Sequence, residues 1–74
     1  MQKTERTETI NVMNEAGEHK LIEVFTTFTL HRTLNGKERW FAGAITHELN
    51  GEHCNPTKDG AFVVFSTDEV LRRV

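Results

Sequence analysis

The chain has 74 residues, 36% of them hydrophobic and 27% charged, which suits one domain around one small core. Nine basic and eleven acidic residues leave a net charge of −2, so bulk attraction to nucleic-acid phosphate is excluded. The single cysteine, Cys54, excludes an internal disulfide, and no apolar run approaches the roughly 20 residues of a membrane-spanning helix.

Residues 1–7 mix charges with threonine and offer nothing to bury, so a disordered tail is expected there, followed by one β-rich domain over 8–74. The opening "MQKTERTET" also holds no apolar stretch for a secretory signal, and a cytoplasmic protein is the expectation. In "ETINVMN" (8–14), Ile10 and Val12 alternate with polar neighbours as in a short strand, and "NEAGE" (14–18) reads as a turn.

The segment "HKLIEVFTTFTLHRTL" (19–34) fits either a helix or a strand by spacing. Its β-branched and aromatic side chains favour a strand. The Asn35-Gly36 pair that follows is the preferred centre of a tight hairpin. The same Leu-Asn-Gly core recurs at Leu49-Asn50-Gly51, so two hairpin corners are expected. Counting outward from a two-residue turn at Asn35-Gly36 sets Leu30 against Phe41, Phe28 against Gly43, Thr26 against Ile45 and Val24 against His47. Counting from Asn50-Gly51 sets Glu48 against His53 and His47 against Cys54.

Pro56 cannot donate to a ladder, so the third strand of this meander should end near Asn55. "KDG" (58–60) is a further turn and "AFVVFS" (61–66) a brief apolar strand. "STDE" (66–69) has the form of a helix capping box, which predicts a short C-terminal helix burying Val70, Leu71 and Val74. The fold expected is mainly β: an antiparallel meander of four or five strands, partly curled or barrel-like, ending in that helix.

Three sets of residues invite functional readings. The register predicts an outer row of Glu23, Glu48 and His53 and an inner row containing His47 and Cys54, which offer metal-ligand or cysteine-based chemistry. Neither row has a complete ligand set or an oxyanion hole, and ordinary charged-surface and core roles explain them as well. Arg32, Lys37, Arg39 and Trp40 gather near the first corner, where basic side chains beside an aromatic suit single-stranded nucleic acid. Glu38 and the net charge weigh against it.

The third set is Phe25, Thr27, Thr29, Trp40, Ala42 and Ala44. These should form a flat, semi-apolar face on the central hairpin, where a solvated face would carry charges. The reading that follows is a non-catalytic protein-interaction module, a symmetric homodimer through that face, with no cofactor and no membrane partner.

Overall fold

The computed structural model describes residues 1–74 and is all strand. Six strands follow in order: β1 (Gln2–Asn14), β2 (His19–Arg32), β3 (Glu38–Leu49), β4 (Glu52–Pro56), β5 (Phe62–Val64) and β6 (Val70–Arg73). Each pairs antiparallel with the next, and β6 returns to β1, closing a six-stranded barrel. The mainly-β, barrel-like expectation holds, with one strand more than expected.

The core lies at the closed end. Ile10 and Val12 from β1, Ile22 and Val24 from β2, and Leu49 from β3 meet Cys54, Phe62, Val64 and Leu71. On β1, β2 and β5 the buried positions alternate with exposed or half-buried ones, as a two-residue period requires. No helix in the molecule is long and apolar enough to cross a membrane.

The predicted C-terminal helix is a strand. Val70–Arg73 pairs with β5 and β1 and buries Leu71 completely. Two turns of isolated helix are marginal in water, whereas a strand here fills the last gap in the barrel wall. The "STDE" residues form the β5–β6 corner, with Asp68 at φ +59°. Glu69 does not cap Ser66. Its carboxylate accepts from Asn14 Nδ2 at 3.1 Å and Lys20 Nζ at 3.1 Å, tying this corner to β1 and β2. Ser66 Oγ donates instead to Glu52.

Residues expected to fray also belong to the sheet. Gln2–Arg6 of β1 pairs with Phe25–Thr29 of β2. Its threonines and charges suit a strand that is not buried, and Thr4 bonds Thr27 through the hydroxyls at 3.1 Å while Arg6 reaches Glu23 at 3.0 Å.

The two Leu-Asn-Gly corners differ. At the second, Asn50 (φ +50°) and Gly51 (φ +85°) are both left-handed and Leu49 pairs with Glu52, the expected two-residue turn. At the first, only Gly36 (φ +78°) is left-handed, and Thr33 N–H donates to the Lys37 carbonyl at 2.8 Å across a three-residue loop. The same construction recurs at Asn14–Glu18 and Thr57–Ala61. In each, a Thr or Asn side chain at the first position bonds the closing residue's backbone. Burial separates the two tetrads: Leu49 is in the core, while Leu34 is fully exposed. Giving the second corner the looser geometry would put Leu49 in a loop, so the core enforces the tight turn.

The looser first corner shifts the register near it by one residue. Leu30 pairs with Trp40 and Phe28 with Ala42, in place of the predicted Phe41 and Gly43. A β-bulge on β3, where Gly43 and Ala44 together oppose Thr27, absorbs the shift. From Thr26–Ile45 inward, the pairs Val24–His47 and Glu23–Glu48 are as counted. Gly43 therefore does not lie under Phe28; a side chain at this position would sit 3.3 Å from the Thr27 carbonyl. A second bulge, at Thr7 on β1, lies close by, and Thr7 Oγ1 bonds the buried Thr26 hydroxyl at 2.9 Å.

These bulges mark where the barrel stops. Strands β1, β2 and β3 have 13, 14 and 12 residues, against 5, 3 and 4 for β4, β5 and β6. The surplus continues beyond the barrel as a three-stranded sheet one layer thick, stretching the molecule to 55 × 22 × 22 Å.

Candidate functional site

The outer row forms as counted, with Glu23 opposite Glu48 and Glu48 opposite His53. It is not a metal centre in this geometry. Arg6 Nη1 sits 3.0 Å from Glu23 Oε2 and relieves the repulsion between the facing carboxylates. Nowhere do three His, Cys, Asp or Glu side chains converge closely enough to hold a metal ion.

The inner pair also forms, with His47 opposite Cys54. His47 leans on the Phe62 ring, 5.1 Å between centroids. Burial lowers its pKa below 6.5, and Arg73 lowers it further, against a smaller opposing pull from Glu8. Burial pushes the Cys54 thiol up; a backbone hydrogen bond from Leu49 pulls it back, and Glu52, Glu48 and Glu69 add to the rise. Both shifts oppose a thiolate–imidazolium pair, the activated form that nucleophilic chemistry uses. The thiol, 3% exposed, contacts the Glu52 carbonyl at 3.7 Å. Cys54 is part of the core, and His47 is a half-buried residue at its edge.

The basic–aromatic set at the first corner is divided. Arg32 is committed to Glu38 at 2.9 Å. Trp40 and Arg39 are adjacent in a strand and so face opposite ways. The Trp40 ring is already covered by Lys3, whose Nζ stands 4.3 Å from the ring centroid. On Arg39's side, His31 meets Phe41 edge-on at 5.1 Å. No stacking platform flanked by Arg32, Lys37 and Arg39 results.

The semi-apolar set is divided too, by the register shift. Phe25, Thr27 and Thr29 share one face of β2, whereas Trp40 and Ala42 pair with Leu30 and Phe28 on the other. Ala44 sits in the bulge. The six do not make one patch. The structure instead assembles Phe28, Leu30, Trp40 and Ala42 on the face that continues the barrel interior, with Lys3 lying across it. Ile45, placed opposite Thr26, is 59% exposed because the barrel ends at its level. Phe41 is 49% exposed on the reverse face.

The counted register sets Ile45 against Thr26 without showing its exposure, and Lys3 belongs to the segment expected to be a disordered tail. One signal for both was available: strands too short to cover their long neighbours leave a single layer uncovered. Compared with protein-family models, curated proteins and solved structures, the chain matches none.

Proposed function

We propose that this protein is a small non-catalytic interaction module that acts by self-association through its three-stranded extension. One observation carries the reading. The extension is a sheet with no second layer, and it holds Trp40, Phe41 and Ile45 exposed on one strand. A sheet with apolar side chains is ordinarily covered by another element, and exposed apolar patches mark contact surfaces. Every element of this chain is already used in the barrel or the extension, so further contacts for these side chains must come from another molecule. A second copy is the partner always present at matching concentration. Light scattering at micromolar protein tests this: twice the chain mass supports self-association, and a single-chain mass throughout the micromolar range overturns it.

A further inference from the structure

We propose that two copies join edge to edge through β3, antiparallel, about a two-fold axis between Ala42 and Gly43, making one six-stranded sheet from two extensions. This deepens, and rests on, the self-association reading. Strand β3 pairs with β4 only at His47–Leu49, so Glu38–Thr46 has β2 on one side and solvent on the other. From Trp40 to Thr46 this edge carries no charge. The corresponding edge of β1 carries Lys3, Glu5, Arg6 and Glu8, the kind of side chains that discourage strand addition. One edge is guarded and the other open.

The backbone selects the register. Thr33 N–H bonds the Lys37 carbonyl, and antiparallel pairs alternate between bonded and non-bonded. The groups of Glu38, Trp40 and Ala42 therefore turn away from β2, towards the open edge. At the other end, the tight turn makes Leu49–Glu52 a bonded pair, so His47 and Leu49 address β4 and Ile45, in the same phase, addresses the open edge. Strand addition can thus make Trp40 and the partner's Ile45 a bonded pair, and does so twice by symmetry.

The bulge makes the faces agree. It reverses the side-chain alternation between Ala42 and Ile45, so Trp40 and Ile45 lie on the same face despite their odd separation. In a two-fold sheet Trp40 then covers the partner's Ile45 on one face, and Phe41 meets the partner's Ala44 on the other. The exposed apolar side chains of β3, at 40%, 49% and 59%, each gain an apolar or small neighbour.

The test is sedimentation equilibrium on wild type and Ile45→Lys, each checked by thermal melting. Wild type should be a dimer and Ile45→Lys a monomer. A wild-type monomer overturns both this geometry and the self-association reading. A wild-type dimer that ignores Ile45→Lys overturns the β3 geometry alone. If any variant fails to fold, Ala42→Cys decides. It should give a disulfide-linked dimer on oxidation while Thr4→Cys on the far edge does not, and the reverse pattern overturns the geometry.

Discussion

The two Leu-Asn-Gly tetrads offer an internal comparison in which identical chemistry should give different energetics. Leu49 is 7% exposed within the barrel core, and Leu34 protrudes fully from its loop. Truncating a buried leucine to alanine typically costs about 2–5 kcal/mol, the transfer term plus the residual cavity. Leu49 lies at the rim of the core beside the β3–β4 corner, where neighbours can relax inward, so about 2–3 kcal/mol is the expected cost of Leu49→Ala. A domain of this size loses roughly 4–8 °C in Tm per kcal/mol, which makes the fall about 8–24 °C. Leu34→Ala removes no contact and should stay within about 0.5 kcal/mol of wild type. Thermal melting by circular dichroism, at one protein concentration for all variants, measures both. Equal destabilisation at the two sites would refute the argument that burial of Leu49 enforces the tight second corner.

The adjacent asparagines should differ in the same sense. Asn50→Ala places alanine at φ +50° and should cost about 1 kcal/mol, while Asn35→Ala should change the denaturation midpoint little. Stability should also decline on acidification, in two stages. His47 has a lowered folded pKa, so its contribution is complete above the ordinary 6.5 and is lost as pH falls through the folded value. Glu69, held low first by Asn14 and then by Lys20, and Asp59, held low by Thr57 and then Arg72, contribute fully above the ordinary carboxylate range and lose that contribution at lower pH. Denaturant midpoints against pH should show His47→Gln flattening the upper stage and Glu69→Gln the lower; an unchanged profile in both would contradict these assignments. Finally, Cys54 should react with a thiol reagent only as fast as the protein opens, and a rapid stoichiometric reaction in the native state would contradict its burial.

Much of the barrel was legible because local chemistry and burial agree there. Asn50-Gly51 after buried Leu49 determines a β3–β4 register that runs as counted through Glu48–His53 and His47–Cys54, and the β2–β3 pairs from Thr26–Ile45 inward, counted from Asn35-Gly36, agree because the Gly43–Ala44 bulge cancels the shift at the first corner. The tip was misread because Asn-Gly serves two corner types, and the discriminating features lie outside the pair: Thr33, whose hydroxyl bonds the Lys37 carbonyl, and a Leu34 with nothing to bury it. The one-residue shift then runs along five residues of β2, Phe28 to Arg32, and ends at the Gly43–Ala44 bulge. That bulge decided which side chains share a face, so the proposed contact set was misassembled although most of its residues lie on the extension. The C-terminal strand was missed for a different reason. Val70, Leu71 and Val74 fit a helical period over so few residues that only the demand of β1 and β5 for a neighbour distinguishes the alternatives.

The closure of the barrel has a consequence for how it opens. Five of its six pairings join strands adjacent in sequence, and such hairpins form locally in microseconds. The remaining one brings Val12 to Arg73, near opposite ends of the chain, through three residue pairs. Few backbone bonds hold that seam, while fully buried Val12 and Leu71 stand directly behind it. Thermal fluctuations should therefore unzip the molecule along β6 first, wetting the interior before the long hairpins loosen. In native-state hydrogen exchange the amides of β6 should lose protection at the lowest free energy, ahead of those in the middle of β2.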